Sequence, residues 1–299
     1  MRLRRSELST PGSSEKMLAK AAASDADLVF CDLEDSVAPA EKVSARQKIV
    51  HALINHSWRP ATRAVRINDL ETHYAYRDII DVVTGARDAV DIVIVPKIKS
   101  ARDVWWVDKL LTQLETDLGL TKRIGIEVLI EEVEAMIAVE EIAQSSPRLE
   151  ALIFGPGDYS ASQGVRVKDL GDSDGSYPGD LWHYARNKIA IAARAAKIDA
   201  IDGPFAAFGD PDGYRRQAKL AHTVGFSGKW AIHPSQITLA NAEFAPSPQE
   251  VAEARKLVEA FDDAQARGLG AVAVDGTMVD IASVRILRVI LDRATALGI

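Results

Sequence analysis

Apolar residues along this chain recur with two different spacings, and the two alternate from end to end. Short runs rich in Val, Ile and Leu fall at residues 7–10, 27–33, 63–67, 91–96, 124–130, 151–154, 199–201 and 229–232. In the clearest of them Ile124, Ile126, Val128 and Ile130 alternate with Gly125, Glu127 and Leu129, a period of two in β-branched residues that predicts a strand. Between these runs, segments such as 14–24, 40–54, 101–118, 134–144, 182–196 and 213–223 carry apolar residues at three and four spacing, the signature of helices with one buried face. Alternating strands and helices argue for a parallel sheet covered by helices, and eight strands suffice to close a (β/α)8 barrel. After Ile232 the pattern changes. Pro246-Ser247-Pro248 opens a helix over 249–267, a short Gly-containing segment covers 268–277, and a last helix runs over 281–297. The expected domains are therefore a barrel over 1–240 and a helical extension over 241–299 that packs outside the barrel or over its mouth.

Nearly every strand run ends on polar or charged residues. The run at 27–33 ends in Asp32-Leu33-Glu34-Asp35, and the next in Arg66-Ile67-Asn68. Lys97, Glu131, Gly155-Pro156-Gly157-Asp158, Asp202-Gly203-Pro204 and His233-Pro234 close later ones. A charge at the end of a buried strand is costly unless something pairs with it, and in a parallel barrel all these ends converge on the face where catalysis takes place. Glu131 and Asp158 are hard oxygen donors from separate strands with no His or Cys beside them. That set suits Mg²⁺, which takes one or two carboxylates and keeps several waters, and argues against zinc. The plainer alternative is that both acids only cap strand or helix ends.

Composition narrows the classes of function. At 299 residues, 47% hydrophobic and 26% charged, the chain has the profile of a globular protein, either one large barrel or two ordinary domains. A net charge of -7 with scattered Lys and Arg offers no general attraction for nucleic acid. Cys31 is the single cysteine, which excludes an intrachain disulfide framework and a cysteine-rich zinc site. No apolar run approaches the roughly 20 residues of a membrane span, and the start MRLRRSELSTPGSS has no apolar core. The expected setting is cytoplasmic, without membrane partners.

The strings TPGSSEKMLAKAAASDADLVFCDLEDSVAPAEK, AVRIN, IVIVPK, EVLIEEVEAM, GPGDYSAS, DGPF and GKWAIHPSQ occur in this order. Together they resemble the HpcH/HpaI aldolase and citrate lyase β-subunit family, above all its malyl-CoA and β-methylmalyl-CoA lyases, from about Arg5 to near Asp280. The resemblance implies a TIM barrel with a C-terminal lid, Mg²⁺ or Mn²⁺, acyl-CoA and glyoxylate-type 2-oxoacid substrates, and a homotrimer or homohexamer in which the lid covers a neighbour's site. Carried over residue by residue, it implies Glu131 and Asp158 as metal ligands and Arg66 as the arginine facing the reacting oxyanion. Glu34 and Asp35 become acids that hold metal-bound water, and Asp280 the lid aspartate acting as acid or base. The Gly155-Pro156-Gly157 backbone and Ile201-Asp202-Gly203-Pro204 are implied to line the mouth. Two positions depart from the family pattern: Ser9 stands where some members have an aromatic residue, and Ser14 where they have an arginine. The loop at 168–178 also looks shorter than theirs.

The chemistry this implies is carbon–carbon cleavage of a 3-carboxy-3-hydroxyacyl-CoA, which develops an enolate on one fragment and a carbonyl on the other. A bound divalent ion suits the hydroxy-carboxylate, the Arg66 fork suits the oxyanion, and Asp280 is the candidate to protonate the enolate carbon. Lys16 and Lys20, with Arg5, are candidates for CoA phosphates near a helix N-terminus, the alternative being a solvated helix face. Lys97 reads as a salt-bridged lysine or a CoA contact rather than a Schiff-base nucleophile, and His233 as a packed strand-end histidine. Trp105 and Trp106 read as packing a helix on the barrel, and Cys31 as an inert core thiol. Two other functions remain open at this point: a malyl-CoA thioesterase, or a citrate or citramalyl lyase β-subunit acting on a carrier-bound or other acyl-CoA substrate.

Overall fold

The computed structural model describes residues 2–165 and 177–299; most of the 168–178 loop lies outside them. The described chain divides into two units, Arg4–Asn241 and a smaller one made chiefly of Ala242–Ile299. The larger unit is a closed, all-parallel TIM barrel of eight strands in sequence order. They are β1 Ser6–Pro11, β2 Leu28–Asp32, β3 Thr62–Arg66, β4 Ile92–Val95, β5 Gly125–Ile130, β6 Leu149–Phe154, β7 Asp199–Asp202 and β8 Gly228–Ala231. Closure is made by β8 against β1, with Ser6 opposite Lys229 and Leu8 opposite Ala231. All eight expected strands are present, displaced by a few residues at their ends.

Parallel strands are covered on both faces, which is why β4 reads as the continuous run Ile92-Val93-Ile94-Val95 and is buried throughout. Alternate residues of the strands point inward, and Leu28, Phe30, Ala64, Ile92, Ile94, Leu129, Ala151, Ile153, Ile201 and Trp230 form one interior cluster. The intervening residues face the helices, as in the cluster of Leu8, Val29 and Ala231 with Ala21, Ala26 and Ile237. One register irregularity interrupts the ladder. Ile126 of β5 pairs with Leu149 of β6, whereas Glu127 pairs with Ala151, so Glu150 is an extra residue on β6.

The covering helices are α1 Glu15–Ala22, α2 Lys42–Asn55, α3 Ala75–Ala86, α4 Ala101–Leu118, α5 Val133–Ile137, α6 Val139–Ala143, α7 Pro156–Gln163, α8 His183–Ala196, α9 Pro211–Thr223 and α10 Pro234–Glu243. Ser100 and Asp103 form a capping box at the start of α4, and left-handed Gly119 ends it. The helix expected over 134–144 is two short ones, because the backbone leaves helical geometry at Ala138 (φ -95, ψ 11). Trp105 and Trp106 do not pack on the barrel: they are 55% and 40% exposed. The inner face of α4 is Val104, Val107 and Leu111, and 100° per residue turns the two tryptophans away from it. Among the described residues no helix is long and apolar enough to cross a membrane.

The smaller unit contains α11 Pro248–Ala266, β9 Ala271–Val274, β10 Thr277–Asp280 and α12 Ile281–Leu297. Here the Gly-containing segment is an antiparallel hairpin, Thr277 pairing with Val274. Asp275 (φ 48) and Gly276 (φ 82) both take positive φ, the two-residue turn whose twist matches that of its strands. Val272, Val274 and Val279 of the hairpin pack with Val258 and Phe261 of α11 and Val284 of α12.

Candidate active site

At the carboxyl ends of the strands lies a cavity of about 420 Å³, lined among others by Ser9, Asp35, Arg66, Glu131, Gly157, Asp158, Pro204 and Trp230. Arg66 ends β3 directly opposite Asp32, the last residue of β2. The parallel register therefore sets guanidinium against carboxylate: Arg66 Nε and Nη2 donate to Asp32 Oδ1 and Oδ2 at 2.7 and 2.8 Å. Asp32 is fully buried. Burial opposes its ionisation, but the bidentate guanidinium wins and holds its carboxyl below the usual carboxylate range. A third contact, Arg66 Nη1 to Glu34 Oε2 at 2.8 Å, is an ion pair without an aligned hydrogen bond, since Glu34 Oε2 has no hydrogen-bond partner. The face of the guanidinium lies over Trp230, 5.3 Å from the ring centroid.

The loop after β2 that carries Glu34 and Asp35 is pinned from behind. Lys42 of α2 is buried, and its Nζ donates to the carbonyls of Leu33 and Glu34 at 2.9 Å each. Glu34 is buried, whereas the Asp35 side chain is 60% exposed. Burial raises the Glu34 carboxyl above its ordinary range in spite of Arg66 and Lys97 beside it.

Glu131 follows β5 and is buried. Its Oε1 accepts from the backbone N of Lys97 at 2.8 Å, and Lys97 holds a left-handed φ of 50 to present that N–H. The Lys97 ammonium lies 2.5 Å from Glu34 Oε1, 3.5 Å from Asp35 Oδ1 and 4.0 Å from Asp158 Oδ1. Burial works against that ammonium, yet Glu34 holds its pKa above the usual lysine value. Asp158 stands in the first turn of α7, capped by Gly155 with Pro156 in its first turn. Gly155 permits this approach: a Cβ there would lie 2.6 Å from Glu131 Cβ, while Gly157 has open space. Gly203 likewise packs against Pro156, and a Cβ would meet Phe154 O and Pro156 Cδ.

These residues fit a divalent cation. Burial, and then the like charges of Glu34 and Asp158, push the Glu131 carboxyl up to about 8, an excess of negative charge that a bound ion would relieve. Glu34 Oε2 adds a buried acceptor lacking a hydrogen bond. Among the described residues no group of three or more His, Cys, Asp or Glu is placed to hold a metal. Two carboxylates with open positions beside them are the kind of donor set Mg²⁺ takes, the rest of its shell being water and substrate.

Of the residues singled out from the sequence, Arg66, Glu34, Asp35, Glu131, Asp158, Gly157 and Pro204 come together at this cavity or against its lining. Ile201 does not: it is fully buried in the interior cluster, a layer below the mouth, because its strand parity aims it inward. Lys16 and Lys20 are exposed on α1 and are not among the lining, although Met17 between them is. Asp280 belongs to the smaller unit, where it is the N-cap of α12 and its Oδ1 accepts from Ser283 N at 2.9 Å. That bond holds its carboxyl below the usual range. Sequence reasoning gave no role to Asp32 or Lys42. The pairing of Asp32 with Arg66 could have been read from aligning the two strand ends; the reach of Lys42 left no signal.

Three comparisons bear on what the cavity is for. The model of the HpcH/HpaI aldolase/citrate lyase family matches residues 5–234. The chain is 43% identical over 299 residues, 97% of its length and 94% of the other protein, to the L-malyl-CoA/β-methylmalyl-CoA lyase of Cereibacter sphaeroides. It is 34% identical to the citrate lyase subunit β of Haemophilus influenzae, over 98% of both chains. Its fold superimposes with a TM-score of 0.76 and 29% identity, over 97% of both chains, on CitE from Mycobacterium tuberculosis in complex with magnesium, acetoacetate and coenzyme A. With a matching barrel, a matching family model and relatives at this identity along almost its whole length, the chain belongs to the HpcH/HpaI aldolase/citrate lyase family.

Proposed function

We propose that this chain is a Mg²⁺- or Mn²⁺-dependent carbon–carbon lyase. It reversibly cleaves a 3-carboxy-3-hydroxyacyl-CoA such as (S)-malyl-CoA or β-methylmalyl-CoA to acetyl-CoA or propionyl-CoA and glyoxylate. The observation that carries this reading is the meeting, in one cavity, of a guanidinium fixed by Asp32 with the Glu131 and Asp158 carboxylates. The identity to a malyl-CoA lyase selects the substrate class.

Glu131 and Asp158 would hold the ion, with Glu34 and Asp35 placed to hold its waters. When bound, the ion supplies Lewis acidity and a template for a hydroxy-carboxylate. Arg66 has its Nε–H and one N–H of Nη2 engaged with Asp32, which leaves N–H donors of its fork for an oxyanion. In cleavage a general base takes the hydroxyl proton and the O–H pair becomes the glyoxylate carbonyl, while the carbon–carbon pair passes to the thioester carbonyl as an enolate oxyanion. Arg66, permanently charged, stabilises that oxygen. The enolate carbon then takes a proton, for which Asp280 is our candidate, supplied by a neighbouring subunit of a homotrimer or homohexamer in the cytoplasm; the bond from Ser283 favours its ionised form, so Asp280 must take up the proton before donating it.

The deciding experiment incubates the purified protein with malyl-CoA and Mg²⁺ and follows glyoxylate and free thiol together. Glyoxylate and acetyl-CoA in equal amounts, without thiol, is the expected result. Thiol release matching substrate loss, without glyoxylate, would make the protein a thioesterase and overturn the reading.

A further inference from the structure

The barrel interior beneath the cavity holds two acids that the chemistry above does not use. Glu7 of β1 and Glu127 of β5 are both 0% exposed, and one oxygen of each, Glu7 Oε1 and Glu127 Oε2, has no hydrogen-bond partner. The cation facing them is Arg4, and it is already shared. Its Nε donates to Glu127 Oε1 at 2.8 Å, its Nη1 to Asp199 Oδ2 at 3.0 Å and its Nη2 to Glu150 Oε2 at 2.5 Å. With its hydrogen bonds divided among Glu127, Asp199 and Glu150, the guanidinium makes none to Glu7, and a carboxylate sealed from water without a cation of its own takes up a proton. Burial raises the Glu127 carboxyl too, but the direct bond from Arg4 works against that rise. Glu7 has no such bond: burial, and then Glu127 beside it, push its carboxyl well above the usual range.

Glu7 is connected to the cavity through one side chain. Its Oε2 accepts from Trp230 Nε1 at 2.9 Å. The Trp230 ring in turn lines the cavity, packs 4.4 Å from the Phe30 ring and lies 5.3 Å under the Arg66 guanidinium. Asp32 and Glu34 hold the edges of that guanidinium, and Trp230 supports its face.

We propose that Glu7 is a positioning residue that works as an uncharged carboxylic acid, fixing the Trp230 indole as the floor on which Arg66 rests. An ionised Glu7 would accept the same N–H. Neutrality matters because a second uncompensated charge beside Glu127, sealed from water, would be costly to bury under the indole.

The turnover arm of the test rests on the lyase reading; the infrared arm does not. At neutral pH the wild-type protein should show the carbonyl stretch of a protonated buried carboxyl that is missing from Glu7→Gln. Glu7→Gln keeps an acceptor and no charge, and should keep kcat close to wild type. Glu7→Leu strands the indole N–H and should lower kcat about tenfold or more through a misplaced Arg66, with little change in divalent-ion affinity. Trp230→Phe keeps a ring but loses the N–H; it should show a similar fall and carries the same test if Glu7→Leu does not fold. The two changes combined should be no worse than either alone. Absence of the protonated-carboxyl band, a Glu7→Gln enzyme as impaired as Glu7→Leu, or full turnover in Trp230→Phe would each overturn the proposal.

Discussion

Replacing Gly155 by alanine adds one methyl group where the structure has no room for it. The new Cβ would lie 2.6 Å from Glu131 Cβ and 3.2 Å from Glu131 Cδ, whereas ordinary contact begins at 3.4 Å. Glu131 is buried and held on its other side by the backbone N of Lys97, so it cannot yield by swinging into solvent. Either α7 or the Glu131 side chain must move by roughly 1 Å, a misplacement that can cost about a hundredfold in kcat. Overpacking of this kind destabilises by about 1–3 kcal/mol, or about 2–12 °C in melting temperature for a unit of this size. Gly157→Ala is the control for the fold, since nothing lies within 4 Å of its added Cβ, and its melting temperature should match wild type. Calorimetric titration with Mg²⁺, melting curves and steady-state kinetics on both variants read the three effects. A Gly155→Ala protein with wild-type ion affinity and kcat would refute the claim that this glycine sets the approach of Glu131 to the Asp158 turn.

Arg66→Lys should lower kcat by about a hundredfold, because an ammonium cannot keep both Asp32 bonds and still present donors to an oxyanion; near-normal kcat would assign Arg66 to structure alone. Asp280→Asn should melt like wild type, since Asn caps helices as well as Asp, yet be inactive. Co-expressed with Glu131→Ala it should regain part of the activity, which dead mixed oligomers would contradict. EDTA-treated protein should lose turnover and recover it with Mg²⁺. In that metal-free protein the Glu131 carboxyl, raised to about 8, binds its proton more tightly folded than unfolded. Stability from this group is therefore full below the ordinary carboxylate range and is lost as pH rises toward 8. Mg²⁺ binding near pH 7 should in turn release a proton, seen as buffer-dependent heats, and buffer-independent heats would refute it.

The barrel was legible because its strands are contiguous β-branched runs with charges at one end, and Arg66, Glu131 and Asp158 could be placed from those ends alone. Inward or outward aim was harder. Ile201 and Asp202 are neighbours, but the pleat sends Ile201 into the core and Asp202 to Arg186 and Lys229, a distinction that needs the strand's parity fixed by its partners. α3 carries Ile79, Val82, Val83 and Ala86 at helical spacing, although 75–86 is not among the helical segments named from the sequence. The left-handed turn at Lys97 leaves no trace in composition, since lysine is a poor residue for it. Long-range pairs are the other gap. The bond between Glu7 and Trp230 joins residues 223 apart in the chain, and a buried Glu in a strand pattern reads only as an anomaly until the barrel closes over it.

The extra residue on β6 separates the two ends of the barrel mechanically. Above it, Glu127 to Ile130 keep step with Ala151 to Phe154, and that pairing delivers Glu131 beside Gly155. Below it, the slack is taken up at Glu150, which turns to Arg4. A one-residue insertion or deletion near Leu149 can therefore be absorbed by rebuilding the irregularity, whereas the same change between Ala151 and Phe154 would turn every following side chain of the strand to the opposite face. Length variation among descendants of this sequence should accumulate at the lower end of β6 and stop short of its upper half. The lower end of β6 can thereby change length without shifting the register that places Glu131.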